Sequence, residues 1–213
     1  MEWKLSPEEA RILGALMEKQ MATPDYYPLT LNALVQACNQ KSSRFPVVSY
    51  DESLVKDHLN SLYNRALVNF VTARDRRAVR YDQRLSKLLH CSEQETAVLC
   101  VLLLRGAQTP GEIKGRTNRL YEFESLLEVQ ETLDGMLNRE ELPLIHRLQR
   151  EPGRKEHRFQ HNLGEEKDIS ETEREPKMTN AVEQSTLREE IDEIKRELHI
   201  LTKAFEEFKQ QFM

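Results

Sequence analysis

The sequence predicts a mainly α protein with small β-hairpin wings, an α+β class arranged as two tandem winged helix-turn-helix domains plus a C-terminal coiled-coil helix. Three observations predict it. Two capping boxes, Ser6-Pro7-Glu8-Glu9 and Ser92-Glu93-Gln94-Glu95, each open a helical apolar pattern. Each pattern leads through two more helical stretches to strand-like alternation around a polar turn. The end of the chain then drops both patterns for a heptad repeat.

In the first copy Ala10, Ile12, Leu13, Leu16 and Met17 recur at helical spacing, giving one buried face, and Thr23-Pro24-Asp25 with Pro28 ends the helix in a turn. A second, short helix is expected from about Leu29 to Asn39, burying Leu31, Leu34, Val35 and Cys38. The third is expected from about Asp51 to Arg65, with Leu54, Val55, Leu59 and Leu62 inward and Lys56, Asn60, Ser61 and Asn64 outward. Residues 67–71 and 78–81 then flank Arg74-Asp75-Arg76-Arg77 as the two strands of a hairpin. Three helices closed by a ribbon is the order of a winged helix-turn-helix.

The second copy repeats that order. Val98, Leu99, Leu102 and Leu103 continue the second capping box, Thr109-Pro110-Gly111-Glu112 opens a short helix, and Val129, Leu133, Met136 and Leu137 mark a third from about Ser125 to Asn138. Residues 144–148 and 157–159 form the second hairpin, around Glu151-Pro152-Gly153-Arg154-Lys155. The domain limits are therefore 1–88 and 89–163.

Residues 164–179 contain almost nothing apolar, so they cannot offset the entropy of ordering and read as an acidic flexible linker. From 180 to 213, Leu187, Ile191, Ile194, Leu198, Leu201, Phe205 and Phe208 alternate spacings of four and three, the stripe of an amphipathic coiled-coil helix, and Phe212 continues it. With Leu187 at d, Glu183 and Glu190 fall at g and Arg188 and Lys195 at e. That favours a parallel homodimer. Docking of the same helix on its own domains is the alternative use of an apolar stripe this short.

Of the 213 residues 31% are charged, and the net charge is -5. Residues 1–90 carry +3, residues 91–163 carry -2 and residues 164–213 carry -6. A globally basic nucleic-acid binder is excluded, but a local basic patch is not. The amino-terminal sequence is not a secretory signal and no window approaches a membrane span, so a cytoplasmic protein without membrane contact is expected. Cys38, Cys91 and Cys100 sit in apolar helical patterns without a CxxC pair and read as buried thiols. His157 and His161 lie in or beside a hairpin, where a four-residue spacing does not converge on a metal. No phosphate-binding loop, nucleophile elbow or zinc-protease motif occurs, so no enzyme, cofactor or metal is expected.

Local charge points to double-stranded DNA. Arg74, Arg76, Arg77 and Arg80 crowd the first wing, with Lys41 and Arg44 after the second helix, as groups that neutralise phosphates. Asn32, Gln36, Asn39 and Gln40 add amides suited to base edges. The second wing offers Arg150, Arg154 and Lys155 beside Arg147 and Arg158. Its third helix exposes Glu128, Gln130, Glu131 and Asp134, which suits a protein partner better than phosphate. The lead expectation is a dimeric DNA-binding protein or transcriptional regulator; the alternative is an adaptor whose winged helices bind another protein.

Two stretches, LSPEEARILGALMEKQMATPDYYPLTLNALVQACNQKSSRFP and LLLRGAQTPGEIKGRTNRLYEFESL, closely resemble the YceH family of bacterial proteins. The resemblance covers residues 5–163 and implies a tandem winged-helix fold. It supplies no catalytic residues, and it says little about the C-terminal helix.

Overall fold

Ser6 starts α1 (Pro7–Ala22) by reciprocal capping: its hydroxyl accepts from the Glu9 amide at 3.2 Å while the Glu9 carboxylate accepts from the Ser6 amide at 3.1 Å. In this computed structural model residues 4–72, 78–150 and 156–164 are described, and all fall within the unit Met1–Lys167. The expected linker at 164–179 and the coiled-coil positions Leu187, Ile191, Ile194, Leu198, Leu201, Phe205 and Phe208 lie outside the described residues, apart from Gly164. The architecture is mainly helical with small antiparallel sheets.

After a single 3-10 turn at Pro24–Tyr26, the chain departs from the expected helix start. Leu29–Thr30 forms β1, a short strand antiparallel to residues 80–81, and α2 runs only over Leu31–Cys38. Thr30 is both strand residue and N-cap, extended at φ -75° and ψ 164°, with its hydroxyl accepting from the Ala33 amide. Leu34, Ala37 and Cys38 are buried, whereas Leu31 and Val35 are only half-buried because α2 is a short element packed on one side. Then come α3 (Glu52–Asn64), β2 (Val68–Val71) and β3 (Arg80–Gln83), in the sheet order β1-β3-β2. The hairpin and third helix fall where the periodicity places them, except that Ser61, expected outward, is half-buried and donates to the Glu9 carboxylate at 2.8 Å.

A short helix the sequence reading missed, α4 (Leu85–Leu88), follows the sheet and buries Leu85. The second copy then comprises α5 (Glu93–Arg105), α6 (Pro110–Thr117), α7 (Leu126–Leu137), β4 (Ile145–Arg147) and β5 (Phe159–His161). Capping boxes start both α5 and α6. The repeat in the sequence is therefore a repeat in the structure: three helices and an antiparallel hairpin, twice.

The two copies share one core. Every residue from Glu9 to Met17 on α1 is buried, and every residue from Thr96 to Leu104 on α5. A single stripe was expected on each; burial all round follows because α1 meets α2 and α3 on one side and α5 on the other. Gly14 lies in this contact, where an added Cβ would stand 2.9 Å from Leu104 Cγ and 3.2 Å from Leu103 Cβ. Cys100 Sγ lies 3.4 Å from the Gly14 carbonyl oxygen in the same contact.

Burial all round also encloses polar groups. Arg11 donates from Nη1 to the Cys38 carbonyl at 3.1 Å and from Nη2 to the Pro46 carbonyl at 2.6 Å. Burial lowers its pKa, with the nearby Arg44 charge acting in the same direction. Arg44 itself corrects the sequence reading. Expected beside phosphates, it is 4% exposed and forms a bidentate pair with Glu18, at 3.0 Å through Nη1 and 2.7 Å through Nη2. Its Nε and Nη2 also donate to the Ala37 carbonyl, and Nη1 to the Ser43 carbonyl. The next residue, Phe45, donates its amide to the Leu104 carbonyl at 2.9 Å. The loop after α2 thus braces α1, α2 and α5.

Glu18 feels two opposed effects. Burial works against its charged form, but the hydrogen bonds and charge of Arg44, helped by Lys19, outweigh burial and hold its pKa below the ordinary value. A carboxylate with a depressed folded pKa contributes stability above its unfolded value and loses it as pH falls. Among the described residues no helix is long and apolar enough to cross a membrane.

Two outcomes follow from this core. Gly14→Val forces Leu103 and Leu104 to shift and should cost about 2 kcal/mol or more by overpacking, read as a lower urea midpoint at unchanged m. Glu18→Gln strands the Arg44 charge and should cost about 3 kcal/mol near neutral pH. In the wild type the contribution of this pair should fade as pH drops below 4.5, and in the glutamine variant that part of the pH dependence should vanish, measured by urea denaturation across pH.

Candidate nucleic-acid interface

A winged helix-turn-helix would offer a groove the outward side of its third helix with its hairpin, and on that expectation the two copies can be compared position by position. Both third helices begin at a cap whose side chain accepts from the amide three residues on, Asp51 in α3 and Ser125 in α7. Set cap on cap, buried Val55, Leu59 and Leu62 fall on buried Val129, Leu133 and Met136. The inward sides agree, so the outward sides can be compared in the same register.

On α3 that side carries Ser53, Lys56, Asn60 and Asn64 in one exposed row, with Glu52 and Asp57 beside it. On α7 the matching first two positions are Leu126 and Leu127, 48% and 66% exposed, and Glu131 and Asp134 follow where α3 has Asp57 and Asn60. Gln130, in the place of Lys56, donates to Asp134 at 3.1 Å. Glu128 is taken up locally, accepting from the Tyr121 hydroxyl and the Glu124 amide. The α7 face is therefore acidic and apolar where the α3 face is mixed and polar.

Aromatic stacking fixes the first hairpin against α3. Tyr63 lies 4.4 Å from Phe70 between ring centroids and Phe70 5.1 Å edge-on to Tyr81. Arg80 leaves the base of this hairpin half-buried, with Nη1 donating to the Pro28 carbonyl at 2.6 Å, so its guanidinium bridges β3 and the turn before β1. Arg74, Arg76 and Arg77 lie outside the described residues. Lys41 is exposed in the loop after α2, with Ser42 and Ser43.

Several expected contact groups hold the fold together instead. Arg44 is the buried brace described above. Asn39 exchanges two hydrogen bonds with the backbone of Tyr50, both at 2.8 Å, and Gln40 accepts from Arg44 and Lys19. Asn32 and Gln36, on the exposed side of α2, bond each other at 3.0 Å. In the second copy Arg158 is engaged by the Ala107 carbonyl and by Glu112. Arg147 and Arg150 are exposed, Arg150 reaching to 3.4 Å from His157, while Arg154 and Lys155 lie outside the described residues. Sequence reasoning missed the exposed Leu126-Leu127 pair. The available signal was its place directly after the Ser125 cap, where the first copy has Glu52-Ser53.

The cysteines offer no reactive group among these surfaces. Burial pushes the Cys38 thiol up to about 12 and the Cys91 thiol up to about 11, and raises Cys100 further. His161 is driven down to about 4, first by burial and then by neighbouring His146, so it stays neutral at physiological pH. Among the described residues no group of three or more His, Cys, Asp or Glu is placed to hold a metal ion.

Residues 5–154 match a family described as "Protein of unknown function, DUF480". The chain is 47% identical to a UPF0502 protein of Opitutus terrae over 172 residues, covering 81% of this chain and 75% of that protein. Against a UPF0502 protein of Vibrio atlanticus it is 42% identical over 213 residues, covering 98% of this chain and 97% of that one. A UPF0502 protein of Solibacter usitatus is 39% identical over the full length of both chains. The order of elements, the two capped repeats and these matches agree: the chain belongs to the UPF0502 (DUF480) family of bacterial proteins, as its resemblance to YceH implied.

Proposed function

We propose that each copy is a winged-helix unit and that the first binds double-stranded DNA, making the chain a non-enzymatic DNA-binding protein of the regulator type. The observation that carries this reading is the exposed row Ser53, Lys56, Asn60 and Asn64 on α3. A 13-residue helix is about 20 Å long and fits lengthwise in a major groove about 12 Å wide. Asn side chains there match the acceptor and donor of an adenine edge, and Lys56 can donate to the two acceptors of a guanine edge.

Glu52 and Asp57 share that face, so attraction to phosphate must come from outside the helix. The hairpin supplies it through Arg74, Arg76, Arg77 and Arg80, and the loop after α2 through Lys41. The heptad positions from Leu187 to Phe208 would join two copies of the chain and set the spacing of paired half-sites. The α7 face, with leucines and carboxylates in the matching positions, has no part in DNA binding on this reading.

The test is binding to a random duplex pool across a salt series. Wild type should show a steep loss of affinity with salt, and the variant with Arg74, Arg76, Arg77 and Arg80 all changed to Ala should lower the slope of log affinity against log salt by about 3 to 4. Absence of wild-type binding at low salt would sink the reading. With a selected site in hand, Asn60→Ala should relax preference at one base pair by about 1 to 3 kcal/mol while leaving the salt slope unchanged, measured by competition between single-base variants.

A further inference from the structure

Beside the N-terminal turn of α7 the second copy has an open cleft of ≈ 480 Å³, whose lining includes Pro110, Leu126, Leu127, Arg147 and Phe159. Its apolar mouth is the most exposed pair of adjacent large aliphatic side chains among the described residues, Leu126 at 48% and Leu127 at 66%. Neither serves the core, which α7 reaches through Val129, Leu133 and Met136. Exposed leucines side by side at a concavity cost solubility unless something covers them.

The charge around the mouth says what covers it. From Leu127 the outward row of α7 continues through Glu131 to Asp134, both exposed, and α7 contains no lysine or arginine. Exposed Glu122 and Glu124 precede the helix, with Lys114 donating to the Glu124 carbonyl at 2.8 Å. The hairpin wall is basic, since Arg147 lines the cleft opposite Glu156 and Arg150 lies 3.4 Å from His157 of the lining, so the acidic side of the cleft is the outward row of α7 alone. The whole forms an apolar socket that opens onto an acidic track one to two helical turns long.

We infer that this cleft binds a basic amphipathic segment of a partner protein, two large apolar side chains seated on Leu126, Leu127, Pro110 and Phe159 and its lysines or arginines lying along Glu131 and Asp134. Two apolar anchors three or four residues apart suit the length of the mouth, as in helix-in-groove recognition. The acidic track supplies orientation and rate of association more than affinity, which comes from the anchors. Duplex DNA is the wrong occupant, because the track would face phosphate with like charge. This inference stands apart from the DNA reading, which concerns the first copy only.

The experiment is selection of random peptides about sixteen residues long, displayed on phage, against the full chain, followed by fluorescence anisotropy with the enriched peptides made synthetically. Two variants accompany the wild type: Leu126→Ser with Leu127→Ser, which gives the mouth the polarity of the first copy, and Glu131→Lys with Asp134→Lys. All four positions are exposed, so thermal melts should match the wild type, and the serine variant, which changes no charge, should leave duplex binding unchanged. Enriched peptides should carry two large apolar residues at helical spacing and at least two basic ones. The serine variant should weaken them by about tenfold or more. The charge-reversed variant should weaken them by about fivefold, a difference that disappears near about 0.5 M salt.

The inference is overturned if nothing is enriched above an unrelated protein, if the enriched peptides are acidic, or if both variants bind them as well as the wild type. It is also overturned if sedimentation shows that the wild type associates through these leucines and the serine variant does not, for then a second copy of the chain is the occupant.

Discussion

The contact between α1 and α5 at Gly14 is the constraint on which the rest of this structure depends. A three-helix unit with one hairpin has little core of its own, and the fraction of surface it can bury is small. Packing the first helix of one copy against the first helix of the other turns two marginal cores into one, with nine consecutive buried residues on each helix. A Cβ at Gly14 would run into the Leu103 and Leu104 side chains, so glycine is the residue that fits there without moving them. The Phe45 amide on the Leu104 carbonyl ties the same junction from the side.

That arrangement explains why the loop after α2 braces the core through Arg44. It carries Lys41, Ser42, Ser43 and Arg44, the composition of a phosphate-binding loop, yet it is caught between α1, α2 and α5. Arg44 reaches Glu18 and satisfies carbonyls that the end of α2 leaves open. A buried arginine with a bidentate carboxylate and carbonyl partners is a stable solution only because nearly every donor is used. Lys41 and the two serines remain outside.

Sharing the core also frees the outer faces to diverge. The two third helices keep the same buried spacing, Val55-Leu59-Leu62 and Val129-Leu133-Met136, because both must fill the same kind of space. Nothing imposes sameness on the outward side. One face became polar with a lysine and amides, the other apolar and acidic.

The sequence by itself determined the elements. Caps at Ser6, Asp51, Ser92, Thr109 and Ser125 and the change of period at the hairpins are local, because each rests on a hydrogen bond or a packing stripe only a few residues long. It also made the repeat legible, and with it the outward direction of Lys56, Asn60 and Asn64. What it could not give were outcomes set by distant partners. Thr30 joins a strand because Arg80 lies opposite, α1 is buried all round because α5 covers its second side, and Arg44 turns inward because Glu18 waits 26 residues earlier in the chain. A charged residue reads as surface in any sequence window; only the tertiary structure, by supplying a partner of opposite charge and taking water away, decided that this one is core.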